Sequence, residues 1–109
     1  MRVWDIPPEK LCRHHLLGEH SELHAIWSIL TQNKKGFLYH PETMRWKGKL
    51  KALYYRHQKV VEEMSKRGMK HNSPLDKSTA IGIDYQDVFV NTIEEQRKIL
   101  NGKGCKCDI

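Results

Sequence analysis

The stretch "HHLLGEHSELHAIWSIL", residues 14–30, is the one whose reading decides the fold. Leu16, Leu23, Ile26, Trp27 and Leu30 recur at helical spacing, and Cys12 continues the stripe upstream, so a first helix is predicted from about Glu9 to about Leu30. Pro8 suits its first turn, where a missing N–H costs nothing. "TQNKKG", with Gly36 as the breaker, ends it. The polar residues of the same stretch are unusual. His14 to His24 holds four histidines and two glutamates, which admits three readings: a zinc-binding helix, an acid/base helix without metal, or a solvated face rich in histidine.

A helical wheel separates these readings. At about 100° per residue, Glu19 falls about 40° from His15 and Glu22 about 20° from it on the other side. His15, Glu19 and Glu22 therefore share a face with leucines and isoleucines, an odd place for two carboxylates unless they are paired or functional. His20, His24 and Arg13 lie on a different edge. The inverted zincin motif H-x-x-E-H is missed by one residue, which sets His15 and His20 about 140° apart on the wheel. His20 and His24 have i,i+4 spacing that suits a metal pair, but Arg13 shares their edge and the sequence offers no evident third ligand. No metal site is expected. Histidines 14, 20 and 24 read most simply as solvated.

Outward from this helix, "FLYHPETMRWKGK", residues 37–49, reads as irregular. Leu50, Leu53, Tyr54, His57, Val61 and Met64 recur at three and four, predicting a second helix that Gly68 stops. "HNSPLDKSTAIGIDYQ", residues 71–86, is a long connection full of turn residues. A third helix starts at "NTIEE", with Asn91 as N-cap and Glu94 completing a capping box, and ends near Asn101-Gly102. Nothing alternates with a strand period. The predicted fold is all-α: one compact domain of three helices with long ordered loops over residues 1–104, and a frayed tail at 105–109.

The chain of 109 residues carries 19 Lys+Arg against 13 Asp+Glu, a net charge of +6 that suits a phosphate-rich partner. No apolar run approaches the roughly 18 residues of a membrane span, and "MRVWDIPPEK" has no apolar secretory core. Cys12, Cys105 and Cys107 do not form a disulfide framework, and the Cys-x-Cys pair alone is a weak metal or redox signal. A monomeric cytoplasmic protein without cofactor or membrane partner is expected.

"HLLGEHSEL", residues 15–23, resembles the signature helix of the pyrimidine-dimer DNA glycosylases of the phage endonuclease V type: His, two apolar residues, a small residue, Glu, a variable pair, then Glu-Leu. Arg2 matches the family's N-terminal arginine. "LYYRHQKVVEEMSKRGM", residues 53–69, is similar to its second helix. The run departs from the family pattern at Ser21 and at His24-Ala25, where basic residues are usual. The resemblance implies a compact endonuclease V-like fold of three helices and a glycosylase that also cuts abasic sites in damaged double-stranded DNA, without metal. It implies catalysis by the chain's α-amine, here that of Met1, retained before the bulky Arg2, and by Glu22, with Glu19 in support. It also implies DNA contacts from Arg2, Arg13, His14 and His15. Lys47, Lys49, Arg56 and His24 are further candidates, and nucleoid association follows when DNA is bound. The alternative is a non-catalytic basic helical module that binds nucleic acid.

Overall fold

The computed structural model describes residues 2–71 and 73–108. Among these residues there are four α-helices, α1 Arg13–Thr31, α2 Pro41–Met44, α3 Leu50–Lys66 and α4 Ile93–Gly102, with short 3-10 turns at Pro8–Lys10 and Lys77–Thr79. Among the described residues the β structure is limited to one isolated bridge between Lys49 and Gly82. The all-α expectation holds. The long helix starts later than its periodicity suggested, because Leu11 is extended (φ −82, ψ 140) between the Pro8–Lys10 turn and the Cys12 N-cap. Leu11 drops its side chain into the core, and its carbonyl accepts a 2.7 Å bond from Arg67 Nη2, so the helix cannot run through it.

α1 packs on α3. Leu16, Leu23, Ile26 and Trp27 of α1 meet Ala52, Leu53, Val60 and Met64 of α3 in one core that also holds Val3, Trp4, Ile6 and Leu100. On α3 it is Val60, not Val61, that is fully buried. The "HPET" stretch forms the short α2: Pro41 fits the first turn, and His40 Nδ1 accepts the Glu42 amide at 3.1 Å. α4 is capped one residue later than expected. Thr92 and Glu95 form the reciprocal capping box, because the Asn91 carboxamide oxygen is taken by Arg2 Nη1 at 2.5 Å.

The long connection after α3 has structural work to do. The orphan donors at the start of α3 are met by its carbonyls: Lys51 N–H to Ile81 O at 2.9 Å and Ala52 N–H to Ile83 O at 3.1 Å. Gly82 lies between them at φ +91, against the Gly48 carbonyl, where any Cβ would collide.

The N-terminal segment is held by buried side chains, and Arg45 is central to that grip. Its guanidinium bonds Glu42 Oε1 (2.8 Å), Asp5 Oδ1 (3.1 Å), Val3 O (3.0 Å) and Val88 O (2.9 Å). Removing one partner from such a buried pair leaves charge and backbone groups uncompensated. Arg45→Ala is therefore expected to cost about 3–5 kcal/mol of unfolding free energy, read by urea denaturation. Lys66→Ala, which breaks an exposed 3.7 Å pair with Glu62, is expected to cost less than about 1 kcal/mol. Equal losses in the two variants would refute the central role of Arg45.

Candidate active site

Each backbone amide from Val3 to Asp5 donates to a buried side chain. Val3 N–H goes to Glu42 Oε1 (3.0 Å), Trp4 N–H to Glu19 Oε1 (2.8 Å) and Asp5 N–H to Gln96 Oε1 (2.8 Å). The Ile6 carbonyl accepts from Arg56 Nη2 at 3.0 Å. Side chains from α1, α2, α3 and α4 thus replace the sheet partner that an extended segment would otherwise need. The segment is pinned along α1, and it delivers Arg2 to the face that carries His15 and Glu22.

On that face a cleft of about 240 Å³ is lined by Arg2, Trp4, His14, His15, Glu22 and Lys103, with Gly18 and Glu19 completing it. The structure brings His15, Glu19 and Glu22 together, as the wheel places them, but it gives the two carboxylates different duties. Glu19 is fully buried and forked by Arg56, with Nε–Oε2 at 2.7 Å and Nη2–Oε1 at 3.0 Å. Burial pushes its carboxyl up, and the Arg56 guanidinium and the Trp4 amide pull the other way. Glu22 is half-buried. It also borders a second cleft of about 630 Å³, lined by His24, Ala25, Ser28, Ile29, Lys34 and Phe37 among others. Burial and the neighbouring charges of His14 and Lys103 push the His15 imidazole down, so its neutral form is favoured.

The other expected contact residues divide by location. Arg13 and His14 are exposed at the start of α1 and line, with His15, Arg67, Lys103 and Lys106, a third and larger concavity of about 890 Å³. This basic surface is continuous with the Glu22 cleft through His14, His15 and Lys103. Lys47 is exposed but borders a separate recess near Gly48 and Ile81. Arg56 is engaged with Glu19 and Ile6, and Lys49 is buried with its Nζ 2.8 Å from both Gln86 and Asp87. Neither presents a free cation to solvent. Met1 lies outside the described residues. Lys103 carried no sequence signal, because α4 brings it to the cleft from 81 positions beyond Glu22.

His24 has a different setting from the one expected, and so does His20. Both are half-buried and face His57 of α3 and His71 of the following loop. Ring centroids of His20 lie 4.7 Å from His24, 5.2 Å from His57 and 4.9 Å from His71. Burial, reinforced by the neighbouring imidazoles, pushes His20 down to about 4; burial likewise takes His57 to about 4, against a bond to Gln58. The missing third ligand of the sequence reading is thus supplied twice, by residues that only the tertiary fold brings near. Within the tail, Cys105 and Cys107 pack against the core, and Asp108 N–H donates to Lys10 O at 2.7 Å. Cys12, His15, Cys105 and Cys107 form a second cluster.

The Glu22 cleft thus sets a half-buried carboxylate among imidazoles, an arginine and a lysine, on one side of an all-helical domain. The chain belongs to the pyrimidine dimer DNA glycosylase family, whose model matches residues 1–77. No curated protein and no solved structure matches it. Membership in a family of DNA glycosylases makes DNA the substrate class. No helix among the described residues is long and apolar enough to cross a membrane.

The two glutamates should separate experimentally. Glu19→Ala strands Arg56 and the Trp4 amide, and is expected to destabilise the protein by about 3 kcal/mol or more. Glu22→Gln is expected to leave the unfolding free energy within about 0.5 kcal/mol of the parent. Denaturation curves in which Glu22→Gln is the more damaging change would reverse this assignment.

Proposed function

We propose that the chain is a bifunctional glycosylase and abasic-site lyase acting on pyrimidine dimers in double-stranded DNA, with the α-amine of Met1 as nucleophile and Glu22 as acid/base partner. The observation that carries this reading is the capture of residues 3–6 by buried side chains. It sets Arg2, the residue next to Met1 in sequence, at the Glu22 cleft. An α-amine titrates near 8, against about 10.4 for lysine, so a larger share is neutral and nucleophilic at neutral pH. The nitrogen lone pair attacks C1′ of the deoxyribose. The glycosidic bond breaks, its electron pair leaves with the base, and the nitrogen sheds a proton. The nitrogen lone pair then breaks the C1′–O4′ bond, O4′ takes up a proton as the hydroxyl, and the resulting cationic imine is stabilised by the Glu22 carboxylate. Loss of a C2′ proton then expels the 3′ phosphate and cuts the strand.

The surround supports the same reading. Arg2, Arg13, His14, His15 and Lys103 offer donors to backbone phosphates on either side of the reacting sugar. Phe37, exposed at the rim of the second cleft, offers a ring on which a base can stack. A damaged pair opens at lower cost than an intact one, which contributes selectivity. No step of this chemistry draws on a metal ion.

Borohydride reduction in the presence of abasic-site DNA tests the proposal. A covalent adduct mapping to the Met1 nitrogen is expected. A one-residue N-terminal extension should abolish it, and Glu22→Gln should cut strand cleavage by about 100-fold or more while DNA binding persists. Salt-sensitive binding with no adduct would leave a non-catalytic module instead, and an adduct on Lys103 would transfer the nucleophile to α4.

A further inference from the structure

We propose that this chain holds two structural zinc ions, one between α1 and α3 on four histidines and one joining the start of α1 to residues 105–107 through three cysteines and a histidine. In each group, one ligand atom per residue lies within 4.8 Å of all the others. Tetrahedral zinc with nitrogen at about 2.0–2.1 Å and sulfur at about 2.3 Å needs ligand atoms separated by about 3.3–3.8 Å, so only small rotations are needed to close either shell.

The histidine site rests on two ring nitrogens without a hydrogen-bond partner beside two that pair only with each other. His24 Nε2 and His57 Nε2 face each other at 3.1 Å. The Nε2 atoms of His20 and His71 are buried with no hydrogen-bond partner. An unpaired buried ring nitrogen is costly, and two beside a close imidazole pair is a pattern that a shared cation resolves. The outer ring edges carry the bonds that orient metal-binding histidines: His57 Nδ1 pairs with Gln58 Oε1 at 2.9 Å, and His24 bonds the Ser73 backbone. His57 is fully buried and the other three histidines are half-buried, so the centre sits at the edge of the core. Neutral nitrogen ligands and four protein donors leave no open position, which fits a structural site over a catalytic one.

The cysteine site is carried by separate observations. Cys12 Sγ and Cys107 Sγ lie 3.2 and 3.4 Å from the same atom, His15 Nδ1. The Cys12 amide donates to Cys107 Sγ at 3.1 Å, the kind of bond that stabilises a thiolate. All three cysteines are free of disulfides. Three thiolates and one imidazole at a Cys-x-x-His and a Cys-x-Cys are a soft donor set that selects zinc. Cys105 and Cys107 fall outside the family-matched residues 1–77. With Nδ1 on the metal, His15 keeps only Nε2–H to present as a donor.

The test is metal analysis of the full, untagged chain purified under reducing conditions. Two zinc per chain are expected, falling to one in Cys105→Ser/Cys107→Ser and to one in His20→Ala/His71→Ala. Cadmium exchange keeps the parent sequence and so avoids misfolded variants: cadmium NMR should give two resonances, one in the range of a three-sulfur, one-nitrogen shell and one in that of an all-nitrogen shell. Zinc-free protein that gains no thermal stability on adding zinc would overturn both sites. A single resonance would overturn whichever shell is missing. A disulfide between Cys12 and Cys107 in the reduced preparation would overturn the cysteine site.

Discussion

Everything in this molecule hangs on how the backbone of residues 3–6 is satisfied. An extended segment placed inside a helical protein has no neighbouring strand, and its amides would be stranded there. Here Glu42, Glu19 and Gln96 accept its N–H groups, and Arg45 and Arg56 reach its carbonyls. The acceptors are in turn tied to the donors, Glu42 to Arg45 and Glu19 to Arg56. Isolated buried ion pairs contribute little net stability. These pairs are useful because each partner has a second bond to make, and that bond is to the chain's own main chain.

The same arrangement explains why two carboxylates one turn apart differ. Glu19 and Glu22 are equivalent on a wheel, and the sequence singled out their shared face with His15. What separates them is Arg56, which comes from another helix, and the Trp4 amide, which comes from the N-terminal segment. Arg56 itself reads in sequence as one more surface cation of a basic helix. The helices were legible because each has a long apolar period. The short α2 and the late start of α1 were not: α2 rests on His40 acting as an N-cap for Glu42, a role its residue type does not advertise, and the start of α1 rests on Leu11, whose carbonyl partner Arg67 is tertiary.

The histidines show the limit of local reading most clearly. An i,i+4 pair is visible in sequence, but His57 and His71 lie 33 and 47 positions beyond His24. The cysteines are alike: Cys12 and Cys107 are joined only because α4 returns the chain to the start of α1. Segments beyond residue 77 also complete the matched region. Ile81 and Ile83 finish the N-terminus of α3, Val88 holds Arg45, and Gln96 holds Asp5. The family-matched portion is therefore not a free-standing unit in this chain.

One consequence concerns how the protein tolerates change. Three consecutive amides are gripped through the main chain, so the grip itself does not depend on which side chains those residues carry. It depends on spacing. A single residue inserted between Asp5 and Ile6 would set the Val3, Trp4 and Asp5 amides one place off their acceptors and pull the buried Val3 and Trp4 side chains out of place in the core. Variation in the first residues of such a chain is therefore constrained in length more tightly than in letter.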